Sequence, residues 1–133
     1  MEYVIGIVAA TAVGLFGTVV GFDKERGFYP VVLIVIAGLY LLFAVMADST
    51  GFLLAETVPA LVFVTLAVLG FWKNPWFAVA GLALHGVFDF FHHAVIPNPG
   101  VPVWWPGWCL SYDVVAAGYL AVLIKVRTRS KKA

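Results

Sequence analysis

The sequence predicts an all-α, polytopic membrane bundle of five transmembrane helices, folded as a single integral membrane domain over 1–133. Hydrophobic residues make up 63% of the chain and charged residues only 11%, too few to build a water-facing surface. Five apolar runs are each long enough, or nearly so, to cross a hydrocarbon core that takes about 20 helical residues. All eight lysines and arginines then fall on one side of those spans, which a four-span arrangement does not achieve.

The first run, 3–22, opens Met-Glu-Tyr without a basic n-region and exceeds a signal-peptide core in length, so it reads as a retained helix. Gly6, Ala10, Gly14, Gly17 and Gly21 recur along it at spacings of three and four. Such a small-residue stripe permits close helix packing, in this chain or in a homo-oligomer. Asp23-Lys-Glu-Arg-Gly27 is a polar turn, and Pro30 suits the first turn of a second helix over 29–47. Ser49 and Thr50 can cap a third, 52–72, in which Pro59 should introduce a kink and free a carbonyl. Pro75 opens a fourth, 75–96, which Pro97-Asn-Pro-Gly100 stops. A Pro/Trp-rich loop, 97–107, leads to a fifth helix, 108–126, and a basic tail, 127–133.

Five spans put the termini on opposite sides. Lys24, Arg26, Lys73, Lys125, Arg127, Arg129, Lys131 and Lys132 all share the side of the C-terminus. The positive-inside rule makes that side cytoplasmic and places the N-terminus and the 97–107 loop outside. The location this implies is a multi-pass protein of a prokaryotic inner membrane.

Every histidine lies in the stretch His85-Gly-Val-Phe-Asp89-Phe-Phe-His92-His93. At about 100° per helical residue, with His85 at zero, Asp89 falls at about 40°, His92 at about −20° and His93 at about 80°. The four share one arc, while Phe90 and Phe91 point away from it. A rise of about 1.5 Å per residue sets them about 5–16 Å below the outer boundary, the layer that also holds Glu56 and Asp113. No lysine or arginine lies within the spans, save at the inner end, to neutralise these acids. Either protonation with mutual hydrogen bonding or a bound metal must do so. Imidazole together with carboxylate suits zinc, iron, copper or nickel rather than calcium or magnesium. The expectation is therefore a metal site on His85, Asp89 and His93, with His92 serving a second ion or supporting the first. The plainer readings are a hydrogen-bonded polar core, and a His92 or His93 that reaches the headgroups.

The 97–107 loop joins the histidine helix to the helix of Asp113, so it should cover the site, as a lid or as an interfacial aromatic belt. Cys109 stands four residues before Asp113 on the same face and is the only cysteine, which excludes an intrachain disulfide. A small packing residue is its simplest role. Tyr112 and Ser111 flank Asp113, and Tyr112 is placed to polarise a substrate.

Asp89-Phe-Phe-His92-His93 resembles a histidine box of the membrane fatty-acid desaturases and hydroxylases, with Asp where the first His stands. That resemblance implies iron and oxygen chemistry on lipid chains. The pattern HGxxDxxHH, His85 to His93, with WxPxxCxxYD, Trp104 to Asp113, is similar to small prokaryotic integral membrane proteins of uncharacterised function, and implies no activity. The alkaline ceramidase and adiponectin-receptor superfamily is similar in principle: zinc held by histidines and an acid within membrane helices, hydrolysing lipid amides.

The function expected from these residues is that of a metal-dependent membrane enzyme acting on a lipid or lipid-soluble substrate at the outer leaflet. With zinc, a bound water would ionise near pH ~7, Glu56 and Asp113 would serve as general base and acid, and Tyr112 would polarise the substrate. Iron or copper would bring oxygen chemistry instead. A metal-ion or proton transporter and a non-catalytic membrane subunit are the alternatives. No nucleic-acid partner is expected. The polar residues lie on one side only, which favours a site over a path through the membrane.

Overall fold

In the computed structural model, which describes residues 1–133, five helices follow one another: α1 (Glu2–Val20), α2 (Phe28–Met46), α3 (Thr50–Trp72), α4 (Trp76–Val95) and α5 (Trp105–Lys132). A single 3-10 turn, Phe22–Lys24, joins α1 to α2. All five helices are long and apolar enough to cross a membrane. Their ends fall within two residues of the sequence expectation, except at α5. That helix starts at Trp105 because Pro106 fits its first turn, where a missing N–H costs nothing. It runs on to Lys132 because no Gly or Pro interrupts 119–132 and basic residues suit a helix C-terminus. The basic tail is thus the last part of α5.

Local chemistry explains the boundaries. Gly21 takes the left-handed conformation (φ 93°) that closes α1, its amide bonding the Gly17 carbonyl. Ser49 caps α3 by accepting from the Phe52 amide at 3.3 Å. The helix then continues through Pro59 without interruption. Ile96 is extended, as a residue before proline must be, and α4 ends there.

The helices pack in the order α1, α5, α4, α3, α2. Between α1 and α5, which run parallel, Gly6 sits so close that an added Cβ would lie 2.4 Å from the Trp108 carbonyl oxygen. Gly14 lies against the Tyr119 ring in the same interface. Along Gly6 and Gly14 the glycine stripe is therefore occupied within the chain, by α5. Gly86 lets α4 approach α5 at Leu110 and Asp113, and Gly81 receives Leu33 of α2.

At one end, the basic end, Arg127 of α5 donates to the Asp23 carbonyl and to its carboxylate, each at 2.7 Å. Thr18 donates to the other Asp23 oxygen and lies 2.8 Å from the Tyr119 hydroxyl. The opposite, aromatic end carries the 96–104 connection and the tryptophans that follow it. Burial is inverted relative to a water-soluble protein. Glu56, His85, Asp89, His92, Asn98 and Asp113 are buried, while Val8, Val19, Leu61 and Phe90 are exposed. Apolar side chains outward and ionisable ones inward is the distribution a hydrocarbon solvent selects.

Candidate metal centre

Four helices supply the buried polar layer that contains the centre, in the half of the bundle nearer the aromatic end. On α4 the buried face runs through Ala78, Leu82, His85, Asp89 and His92. The 3.6-residue repeat stacks these positions, so two imidazoles and a carboxylate look inward.

His85 Nδ1 lies 2.7 Å from Asp113 Oδ2 of α5 and 3.2 Å from Asp89 Oδ2. The Cys109 thiol, one turn before Asp113, points to the same Asp113 oxygen at 3.7 Å. His85, Asp89, Cys109 and Asp113 each offer one ligand atom, and these atoms lie within 4.8 Å of one another. Ligands about 2.0–2.3 Å from one tetrahedral ion stand about 3.3–3.8 Å apart, so a metal would gather them with modest side-chain movement. The four residues are fully buried. This group can hold a metal ion.

A second polar cluster lies beside it. His92 Nε2 is 2.9 Å from Glu56 Oε1 of α3, and the Asn98 amide donates to the same oxygen at 3.0 Å. Asn98 is held by its own loop, its carbonyl oxygen accepting from the Gly100 amide at 3.0 Å. The 96–104 segment thus reaches down to Glu56 and covers the polar layer, with Val101 packed on Tyr40 and Phe43.

Tyr40 of α2 links the two clusters. Its hydroxyl donates to Asp89 Oδ1, and its ring stacks on His92 at 4.1 Å between centroids and 19° between planes. Phe63 and Phe88 close the space around His85, with ring centroids 4.6 and 6.2 Å away. Neither Tyr40 nor Asn98 stands out in the sequence. The one available signal was a tyrosine well inside an apolar span, whose buried hydroxyl needs a partner.

Of the sequence candidates, His85, Asp89 and Asp113 come together and are joined by Cys109, while His92 and Glu56 form the neighbouring pair. His93 does not join them. It is exposed at the rim of the bundle, in a shallow recess with Glu2, Tyr3 and Pro106. Its direction, about 80° from His85, meets α5 only at that helix's first turn, where there is no close packing to enclose it. The stripe of His85, Asp89 and His93 is therefore replaced by a set that spans α4 and α5. Tyr112 also turns away from the centre, its ring stacked on Trp108 at 5.3 Å.

The charge balance is unfavourable without an added cation. Three buried carboxylates (Glu56, Asp89, Asp113) face two imidazoles, with no lysine or arginine among the buried residues. With all three carboxyls ionised and both rings protonated one negative charge is left over, to be met by a proton or by a cation. Glu56 Oε2, His85 Nε2, Asp89 Oδ2, His92 Nδ1 and Asp113 Oδ1 also make no hydrogen bond. Buried polar atoms are seldom left unpaired, so these five have hydrogen-bonding or ligating capacity that the protein's own side chains do not use.

Comparison with protein-family models, curated proteins and solved structures finds no match.

Proposed function

We propose that the chain is a metal-dependent integral membrane enzyme acting on a lipid or lipid-soluble substrate. The observation that carries this reading is the group His85, Asp89, Cys109 and Asp113, with ligand atoms within 4.8 Å, full burial and no lysine or arginine to balance two aspartates. Nitrogen, oxygen and sulfur donors together favour zinc, with iron or copper as the other fits. His85, Asp89 and Asp113 alone would hold zinc with one position open, where the ion would supply an activated water; Cys109 as a fourth ligand would make the site closed and structural. The open form is the proposed one, with Cys109 at 3.7 Å from Asp113 standing as a neighbour. Asp113 then acts as ligand rather than as general acid, and Glu56, paired with His92, is the base.

A groove supports the apolar substrate. Between α1 and α2 lies a cleft of about 660 Å³, lined by Ala9, Val13, Ile36, Leu39, Trp108 and Tyr112 among others. Leu39, Trp108 and Tyr112 are the chain neighbours of Tyr40, Cys109 and Asp113. Adjacent helical residues point about 100° apart, so the cleft lies along a neighbouring face of α2 and α5, open for an apolar molecule to enter sideways from the bilayer. The positive-inside rule supports a reading in which the centre lies in the outer half of a prokaryotic inner membrane.

The same atoms also fit a second reading. His85 Nδ1 hydrogen-bonded to Asp113 Oδ2 at 2.7 Å, with Asp89 Oδ2 3.2 Å away, also suits a site filled by protons, as a proton carrier would have. Against transport, the only buried acid outside the layer of Glu56, Asp89 and Asp113 is Asp23, which is paired with Arg127 at the basic end. Metal analysis of the purified chain separates the readings. One divalent ion per chain, lost in His85→Ala and Asp113→Ala, is the expected result; metal-free wild type with a folded bundle overturns the proposal. Cobalt substitution then asks about Cys109. A thiolate-to-cobalt charge-transfer band that vanishes in Cys109→Ser would assign a closed structural site.

A further inference from the structure

The basic end carries a second pocket, unrelated to the metal centre. Its volume is about 380 Å³, and its walls come from the turn after α1, the start of α2 and α4, and the last turns of α3 and α5. Lys24, Arg26, Arg127 and Lys131 line it, against Asp23 and Glu25. Four cations and two acids leave a net charge of +2 around one cavity.

The partners of these groups are unequal. Arg127 is engaged with Asp23, and the pair accounts for the only ion pair that a lysine or arginine makes in the chain. Lys24, Arg26 and Lys131 are left with no internal anion. Tyr29 lines the same pocket, is 4% exposed, and its buried hydroxyl has no hydrogen-bond partner. Deeper down the wall becomes apolar, with Ala78, Leu120 and Leu123. A cavity with unpaired cations at its mouth, an unpartnered hydroxyl donor and an apolar base suits a phosphate on a hydrocarbon anchor.

We infer that this pocket binds the phosphate headgroup of an anionic phospholipid. Basic recesses between transmembrane helices on the cytoplasmic side recognise such headgroups, whereas a scattered surface charge only attracts them. A phosphodiester headgroup carries one negative charge, which the excess of +2 around the pocket more than balances.

The test uses the full chain in nanodiscs of phosphatidylcholine with a minor fraction of phosphatidylglycerol, and native mass spectrometry of the lipid retained. Wild type should keep phosphatidylglycerol in preference to phosphatidylcholine. Lys24→Ala/Arg26→Ala/Lys131→Ala should lower that preference roughly tenfold or more, since a cation near the surface is worth about fivefold. This variant leaves the Asp23–Arg127 pair in place, and an unchanged circular dichroism spectrum confirms its fold. Arg129→Ala/Lys132→Ala removes charge at the same end but outside the pocket, and should retain the preference. Equal loss in both variants, or no preference in wild type, overturns the inference. A second arm adds inorganic phosphate to discs of phosphatidylcholine alone. Thermal stabilisation there, absent in the triple variant, with no lipid preference would overturn the lipid assignment in favour of a soluble phosphate ester.

Discussion

The Tyr40 ring lies flat on the His92 ring, 4.1 Å away, while the Tyr40 hydroxyl donates to Asp89. One side chain of α2 thereby sets the distance between the group that can hold a metal and the Glu56–His92 pair. Replacement by phenylalanine keeps the stacking and removes the hydrogen bond. Tyr40→Phe should leave the fold intact, cost about 1–3 kcal/mol for the orphaned carboxylate oxygen, and weaken metal binding about 10–100-fold. Tyr40→Ala should cost about 3–5 kcal/mol, because a cavity is added. Thermal unfolding and chelator competition measure the two effects separately.

Adjacent histidines should behave oppositely. His92→Ala leaves Glu56 buried with only the Asn98 amide and should destabilise by about 3–5 kcal/mol. His93→Ala, at an exposed rim position, should change stability by about 0.5 kcal/mol or less and leave metal content untouched. Melting curves and metal analysis of the two variants side by side give the comparison.

Acid should attack the basic end through Asp23. Burial alone would raise this carboxyl, but the hydrogen bond from Thr18 and the Arg127 guanidinium outweigh it and hold it below its usual value of 3.8. A depressed native value means that the stabilisation is fully present above 3.8 and is lost as pH falls through the native value. Asp23→Asn should be less stable at neutral pH by about 1–3 kcal/mol, yet lose less on acidification than wild type. Melting temperatures measured from about pH 7 to pH 3 test the crossover.

Two glycines should separate packing from propensity. At Gly6 a Cβ would stand 2.4 Å from a backbone oxygen that cannot rotate away. Gly6→Ala should therefore cost about 1–3 kcal/mol, and Gly6→Val more. At Gly38, inside α2, a Cβ would meet nothing within 4 Å, so Gly38→Ala should stabilise by about 0.5–1 kcal/mol. Thermal unfolding in detergent reads both.

The helices were legible because an apolar run and its Pro, Gly and Ser punctuation are one-dimensional signals. Depth was legible too: counting residues from the helix ends puts Glu56, His85, Asp89 and Asp113 in one layer. What a helical wheel omits is the neighbour. It gives His93 and Asp89 nearly equal standing, although α5 packs beside Asp89 and only its first turn stands near His93. Tyr40 is hidden in a hydrophobic run because its ring satisfies the pattern and its hydroxyl leaves no mark on it. Asn98, set between two prolines, reads as turn chemistry, and its contact with Glu56 spans 42 residues. The glycine stripe announced a close interface but not its partner, since spacing alone fits a helix of the same chain or of another.

That partner is the last helix. Thr18 meets Tyr119 across 101 residues, and Asp23 meets Arg127 across 104. During synthesis α1 enters the bilayer with its small-residue face bare, and α4 follows with His85 and Asp89 still lacking Asp113 and Cys109. Only the arrival of α5 covers the one and completes the other. A chain cut short before residue 105 would present both an unpaired helix and unshielded acids to the lipid, the marks by which membrane quality control recognises an unfinished protein.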